Sequence, residues 1–165
     1  MLKEILKTID QYEGGLCDDP ADPGGETKYG ISKAAYPDID IPSLTIEQAY
    51  DLARRDYYDR MRCSEFNSIR VRWKLFDIGF NCGVTAAAKI LQRAAKVRDD
   101  GIIGPLTIGA VNRIIFSSIG ENMILQSMVE QQVKKYVAIV ISNSKQIVFL
   151  KGWINRAFDY GEGLK

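Results

Sequence analysis

The stretch EGGLCDDPADPGGETKYG, residues 13–30, brings together glycines, prolines and carboxylates directly after a helical pattern. Its glycines and prolines exclude a helix and predict a rigid, turn-rich loop. Glu13 begins this loop, and its apolar neighbours favour the protonated carboxyl group that a general acid needs. Asp22 lies between two prolines and can face Glu13 across a cleft, while the hydroxyl of Thr27 can hold a water molecule. The pattern therefore fits a pair of carboxylates that protonates a glycosidic oxygen and activates water.

Simpler structures fit the same residues. A glutamate before two glycines often only ends a helix, and the repeated Asp-Pro steps often form a plain turn. Calcium is a further alternative, because Asp18, Asp19, Asp22 and Glu26 cluster, although their spacing is not that of an EF-hand and the prolines limit wrapping around an ion. We expect neither a metal nor a cofactor, but the residues by themselves leave these alternatives open.

The composition narrows the classes of function. With 165 residues and 18.5 kDa the chain has the size of one ordinary domain. It contains no histidine, which excludes Ser-His-Asp triads, Cys-His pairs and HExxH zinc sites, so carboxylates must carry the proton chemistry of any enzyme. The net charge of +1 predicts no general attraction to nucleic acid.

Cysteine usage and hydropathy indicate the cellular compartment in which the protein is made. Three scattered cysteines without CxxC spacing predict buried thiols in a reducing environment, with Cys17 the most exposed of them. The start of the chain is a charged amphipathic helix rather than a signal peptide, and the apolar run 136–141 is too short to span a bilayer. We expect synthesis in the cytoplasm and no stable membrane insertion.

Helical periodicity dominates the rest of the chain. Helices are expected from the start to residue 13, from a capping box at Thr45 to Met61, over 69–82, over 86–97 with Thr85 as cap, from Pro105, from a capping box at Ser118 towards Ile141, and over 145–160. Strand-like alternation leaves room only for a short β-hairpin within 16–32. The fold class is therefore mainly α.

The loop pattern resembles the start of the glycoside hydrolase family 108 lysozymes, a group of phage endolysins and of proteins once labelled secretion activators. The matching positions are Glu-Gly-Gly at 13–15, Pro20, Asp-Pro-Gly-Gly at 22–25, Thr27 and Gly-Ile-Ser at 30–32, followed by Ala…Tyr-Tyr within 49–58, Phe-Asp-x3-Asn-x-Gly at 76–83 and Gly-Trp-x-Asn-Arg at 152–156. The resemblance implies a lysozyme-like helical domain and N-acetylmuramidase activity, with Glu13 as the catalytic acid.

The order Glu13, Asp22, Thr27 is also similar to that of the phage T4-type lysozymes, although Thr27 here lies one residue closer. Cys17 and Lys28 depart from the usual family loop. Tyr29, Tyr58 and Asn81 are the candidate substrate-binding residues, since tyrosine rings can stack on sugars and an amide can bond to an N-acetyl group. Trp153 is expected in the core.

The second half carries Asp-Gly-x-x-Gly-Pro-x-Thr at 100–107, which resembles small helical peptidoglycan-binding modules. A sugar contact and a purely structural turn fit this pattern equally well. We therefore expect a catalytic half, 1–83, and a peptidoglycan-binding-like half, 84–165, packed as one body with a seam near 83–85.

Three functions follow from these patterns. The first is a muramidase of phage or prophage origin that cuts the β-1,4 bond between MurNAc and GlcNAc of peptidoglycan glycan strands. The alternatives are a lytic transglycosylase and a non-catalytic peptidoglycan-binding or secretion-related protein. We expect a monomer that reaches the periplasm and cell wall by holin-dependent or comparable release.

Overall fold

The computed structural model describes residues 2–12, 15–16 and 25–164. Within these residues the chain forms seven α-helices and one two-stranded antiparallel sheet, which confirms the mainly α, lysozyme-like fold class. The elements are α1 Lys3–Tyr12, β1 Thr27–Lys28, β2 Ile31–Ser32, α2 Ile46–Ala53, α3 Ile69–Cys82, α4 Val84–Ala94, α5 Pro105–Ile114, α6 Ser118–Ser142 and α7 Ile147–Ala157. A π-helical segment, Arg54–Asp59, continues α2, and short 3-10 turns occupy Cys63–Glu65 and Ser144–Gln146.

Helix α3 is the centre of the molecule. Its middle turns are buried on all sides, as the fully buried Trp73, Phe76 and Ile78 show. A helix whose residues are buried on all sides must be covered by other elements on every face. Here α1 covers α3 from one side and α4 and α6 from others, so that Ile5, Phe76, Leu91 and Ile124 belong to one hydrophobic cluster.

Two of the predicted helix starts agree with the structure. The Thr45 hydroxyl accepts a hydrogen bond from the backbone N–H of Gln48, and the Gln48 side-chain oxygen accepts one from the backbone N–H of Thr45, so the expected capping box forms. Pro105 takes the first position of α5, where its missing N–H costs nothing.

The predicted starts of two other helices, α4 and α6, need correction. Thr85 does not cap α4, because the helix already begins at Val84 after Gly83, which takes a φ of 87°. The cap of α6 is Ser117 rather than Ser118. Glu121, expected to complete that cap, instead accepts hydrogen bonds from Ser68 and Arg70 and ties α6 to the start of α3.

In the part of the chain that the structure describes, none of the helices combines the length and the apolar character needed to cross a bilayer.

Candidate active site

Two of the three predicted catalytic residues, Glu13 and Asp22, lie outside the described residues, as does Cys17. The chain is described on both sides of them, since α1 ends at Tyr12 and the hairpin begins after Gly25. The assignment of Glu13 and Asp22 therefore remains a prediction, and the described residues show what surrounds this part of the sequence.

Thr27, the third predicted catalytic residue, lies in the predicted hairpin. It pairs with Ser32 across β1 and β2, and Tyr29 and Gly30 close the turn with φ angles of 54° and 76°. Two successive positive φ angles are typical of the tight hairpin turn that suits the twist of a β-ribbon. The Thr27 hydroxyl donates a hydrogen bond to the carbonyl of Gly25 at 3.0 Å, which orients its lone pairs and leaves them able to accept a hydrogen bond from a water molecule.

Tyr29 is held in place by its neighbours. Its ring is half-buried against the hydrophobic core, and the Lys28 ammonium lies 5.4 Å from the ring centroid. Lys28 also donates a hydrogen bond to the carbonyl of Pro42 at 2.8 Å. Lys28, which departs from the family loop, thus fixes one side of the hairpin, and the exposed part of Tyr29 remains compatible with a sugar contact.

The prediction for Tyr58 is wrong, because its ring is only 1% exposed and has no face open to a sugar. The Tyr58 hydroxyl donates a hydrogen bond at 3.0 Å to Glu4, itself a buried residue. Burial and the nearby Glu4 raise the pKa of Tyr58, so its phenol stays protonated. Tyr58 is a core residue that anchors α1.

The π-helical segment explains why Tyr58, and not Tyr57, is the buried tyrosine. A regular helix through Ala53 would bury the residue four positions on, Tyr57, whereas a π-helix lengthens that step to five. Ala53, Tyr58 and Met61 are indeed buried, and Tyr57 is displaced to the half-exposed edge. Tyr57, and not Tyr58, is therefore the tyrosine that the surface presents.

Tyr57 opens onto a groove of about 720 Å³ between the π-helical segment and the junction of α3 with α4. We call this feature the helix-junction groove; its lining residues include Tyr36, Asp56, Tyr57, Arg60, Cys82, Gly83, Thr85 and Lys89. The Tyr57 ring meets Phe80 edge to face at 5.0 Å, and Phe80 stacks on Phe76 at 5.5 Å. The aromatic wall is thus braced from the core.

A carboxylate with a fixed orientation lies in the same groove. Asp56 accepts a hydrogen bond from the Tyr36 hydroxyl at 2.8 Å and binds Arg55 at 2.6 Å. The hydrogen bonds from Arg55 hold the pKa of Asp56 below its usual value, while burial and Asp56 raise the pKa of Tyr36. An ionised carboxylate beside an aromatic ring can accept hydrogen bonds from sugar hydroxyls. The sequence analysis missed Tyr36, Asp56 and Tyr57; of these, only the Tyr-Tyr pair stood out in the sequence.

Asn81 lies two residues beyond the buried part of α3 and is exposed. Its amide oxygen accepts hydrogen bonds from the Tyr136 hydroxyl at 2.8 Å and from the Cys82 thiol at 3.3 Å. The oxygen is thus engaged by α6 and by its own helix, and among the described residues no acceptor receives a hydrogen bond from the Asn81 amide nitrogen. Asn81 remains able to donate a hydrogen bond to a ligand, but the expected donor-and-acceptor pair is reduced to the donor.

The Phe-Asp and Asn-Arg parts of the family pattern meet in the core. Asp77 accepts hydrogen bonds from Arg156 and, at 3.5 Å, from Thr8, so that α1, α3 and α7 are joined at one carboxylate. Next to it, the buried Lys74 donates hydrogen bonds to the carbonyls of Ala157 and Asp159, and burial lowers its pKa to about 8. These matching positions therefore hold the C-terminal end of α7 against α3.

The Asp-Gly-x-x-Gly-Pro-x-Thr signature of the second half folds around one glutamine. Gln92 is buried, and its side chain donates to Asp100 at 2.8 Å and accepts from the Gly101 backbone at 2.9 Å. Thr107 is also buried, 3.3 Å from the Gln92 amide. Of the two interpretations left open for this signature, these contacts favour the structural turn.

No group of three or more metal-binding side chains occurs among residues 2–12, 15–16 and 25–164. Asp18, Asp19 and Asp22, named for the calcium alternative, lie outside these ranges.

Comparison with known proteins indicates the class of protein to which this chain is similar. Residues 6–83 match the family model Glycosyl hydrolase 108, and residues 86–158 match the model described as Predicted Peptidoglycan domain. The solved structure of SagA from Brucella abortus superposes with a TM-score of 0.77 at 26% identity, over 94% of this chain and 87% of that one. The search of the curated proteins found no match.

The fold and these matches define a peptidoglycan-related glycoside hydrolase. Its first half is similar to the glycosyl hydrolase 108 family, as the motif resemblance implied, and the match of its second half supports peptidoglycan as its partner.

Proposed function

We propose that this protein is an N-acetylmuramidase that hydrolyses the β-1,4 bond between MurNAc and GlcNAc. The observation that carries this proposal is the position of the Glu13-Gly-Gly motif inside the glycosyl hydrolase 108 match, between α1 and the hairpin that bears Thr27. Glu13 protonates the glycosidic oxygen, Asp22 removes a proton from the attacking water, and Thr27 orients that water.

The helix-junction groove supplies the binding surface for the glycan in this proposal. Peptidoglycan strands are extended chains of N-acetylated sugars, which require apolar ring faces together with hydrogen-bonding groups. Tyr57 offers the ring, Asp56 offers an oriented acceptor, and Arg60 and Lys89 offer positive charge to carboxylates of the substrate. The groove begins just after the hairpin, since Ala35 and Tyr36 form part of its wall.

We extend the proposal to the biological setting: the enzyme acts as a phage or prophage endolysin, made in the cytoplasm and released to the wall by a holin or a comparable route. This part rests on the family resemblance.

A zymogram on purified peptidoglycan tests the proposed chemistry. Glu13→Gln keeps the size and hydrogen-bonding capacity of the side chain but removes the transferable proton, so lysis should fall at least about 100-fold. The circular dichroism spectrum should not change. Glu47→Gln, an exposed glutamate in the first turn of α2, is the matched control and should lyse peptidoglycan like the unmodified protein. Near-normal lysis by Glu13→Gln would reject Glu13 as the acid.

Product analysis separates the remaining functions. A muramidase leaves reducing ends, whereas a lytic transglycosylase leaves 1,6-anhydro ends, and mass spectrometry distinguishes the two. Inversion of the anomeric configuration in fresh product, followed by NMR, is expected if Asp22 activates water directly; retention would indicate a covalent intermediate. Binding to peptidoglycan without any product would point to the non-catalytic alternative.

A further inference from the structure

The end of the α6–α7 helical hairpin exposes several large apolar side chains. We call residues 137–151 the α6–α7 tip; it comprises the last turns of α6, the 3-10 turn Ser144–Gln146 and the first turn of α7. Its exposed apolar residues are Val137 (42%), Ile141 (80%), Ile147 (60%), Val148 (74%) and Phe149 (45%). Contiguous exposed apolar side chains mark interaction surfaces in soluble proteins.

These side chains lie close together. Val137 and Ile141 are four residues apart and share one face of α6. Ile147 and Val148 follow within one turn after the connection, so both pairs lie at the same end of the hairpin. The base of the tip is rigid, because Tyr136 and Trp153 stack at 5.2 Å and Phe149 stacks on Trp153 at 6.0 Å.

The charge distribution around the tip is one-sided. Residues 131–158 contain five basic side chains and no aspartate or glutamate; Lys134 pairs with Glu130 and the buried Arg156 with Asp77. Lys145 and Lys151, which belong to the tip, are both exposed. The whole chain holds 22 basic and 21 acidic residues, so the remainder of the molecule is net acidic.

From these two features we infer that the α6–α7 tip docks on the surface of a bilayer that contains anionic phospholipid. The aliphatic side chains enter the boundary between headgroups and acyl chains, while Lys145 and Lys151 meet the phosphates. A second copy of this chain is the poorer occupant, since two such tips would bring lysines together without any carboxylate between them. Glycan is also poorer, because the aliphatic side chains of the tip offer no hydrogen bonds to hydroxyl groups.

This inference does not depend on the proposed hydrolysis. Its consequence is that the enzyme is held beside the membrane that borders its peptidoglycan substrate, while the helix-junction groove stays free.

Co-sedimentation of the full chain with vesicles tests the inference. The protein should bind vesicles of equimolar phosphatidylglycerol and phosphatidylcholine, bind pure phosphatidylcholine at least about tenfold less, and dissociate in high salt. Lys145→Glu/Lys151→Glu should lower the partition coefficient at least about 30-fold, because each lysine near an anionic surface contributes about fivefold. Arg98→Glu/Arg113→Glu makes the same change in net charge at exposed sites elsewhere and should reduce binding far less.

A second variant and its matched control test how much the apolar side chains contribute to vesicle binding. Ile141→Ser/Val148→Ser should abolish most of the binding without changing the circular dichroism spectrum or the turnover of purified peptidoglycan. Ile119→Ser alters an isoleucine of similar exposure, 72% against 80%, at the opposite end of α6, about 33 Å from Ile141 at 1.5 Å per residue, and should bind like the unmodified protein.

Three results would overturn the inference. The first is a lack of binding to either vesicle, and the second is binding that Ile141→Ser/Val148→Ser leaves intact. The third is a concentration-dependent dimer, seen by ultracentrifugation, that the same double variant dissociates, since the tip would then join two copies of the chain.

Discussion

Tyr57 and Tyr58 are neighbours in the chain with opposite environments. Tyr58 is enclosed and bonded to Glu4, whereas Tyr57 forms part of the wall of the helix-junction groove. Periodicity placed Tyr57 on the buried stripe, and the additional residue in the π-helical turn reversed the two positions. At the scale of single residues, the backbone thus decides which tyrosine can meet a ligand.

This difference gives a kinetic prediction. Tyr57→Ala should raise the KM for soluble peptidoglycan fragments about fivefold with little change in kcat, since a ring contact contributes roughly 1 kcal/mol to binding. Tyr57→Phe keeps the ring and should remain close to the unmodified enzyme. Tyr58→Phe should instead cost about 1–3 kcal/mol of stability, because the buried Glu4 loses a donor, and should leave KM unchanged. A KM that responds to Tyr58 and not to Tyr57 would place the glycan elsewhere.

Among the elements, the β-hairpin depends on an unusual backbone angle. Gly25 has a φ of +65° with open space around the position of a Cβ atom, so a side chain there would meet strain rather than a clash. Gly25→Val should cost roughly 1–2 kcal/mol if the angle is kept. If the strain is instead relieved by movement, Thr27, which donates to the Gly25 carbonyl, moves with it. We therefore expect a large loss of lysis in a zymogram together with only a small decrease in the melting temperature.

The matched control for this variant is Gly109→Val. Gly109 lies exposed in α5, also has open space around its Cβ position, and has no positive φ. The Gly109→Val variant should change little in stability, because valine and glycine both have a lower helix propensity than most residues, and it should lyse peptidoglycan like the unmodified protein. Equal losses of lysis and melting temperature in Gly25→Val would show that the turn is only structural.

The contact between α3 and α7 gives a stability prediction. Asp77→Asn keeps the shape of the side chain but removes the negative charge 2.9 Å from the Arg156 guanidinium in a buried setting. Breaking a buried ion pair costs about 3–5 kcal/mol. The exposed pair Glu130–Lys134 provides the control, since Glu130→Gln should cost less than about 1 kcal/mol. Chemical denaturation followed by circular dichroism measures both, and equal small losses would contradict this assignment for Asp77.

At the scale of the whole molecule, the two halves share one hydrophobic cluster. Phe76 before the α3–α4 junction and Leu91 and Ile124 after it belong to the same buried set. The junction itself is a single residue, Gly83, with a φ of 87°. A continuous core across so short a connection favours unfolding as one unit.

The two tryptophans allow this expectation to be tested, because Trp73 reports on the first half and Trp153 on the second. In the variants Trp73→Phe and Trp153→Phe, the fluorescence midpoint of the remaining tryptophan should coincide with the midpoint from circular dichroism. Leu91→Ala, a fully buried truncation in α4, should lower both midpoints together by the equivalent of about 2–5 kcal/mol. Two separate midpoints would mean that residues 1–83 and 84–165 fold independently.

The sequence by itself determined the mainly α class, the start of α2 and α5, the end of α3 at Gly83 and the glycosyl hydrolase 108 pattern. These features depend on local causes: helical periodicity, caps, and glycine or proline at fixed positions, which act over a few residues. Only the tertiary structure decided that Tyr57 faces the groove and that Tyr36 donates a hydrogen bond to Asp56. The same holds for the hydrogen bond from Gln92 to Asp100 and for the ion pair of Asp77 with Arg156. Each of these contacts joins residues that lie apart in the chain or depends on which face of a helix the packing buries, and no local pattern contains that information.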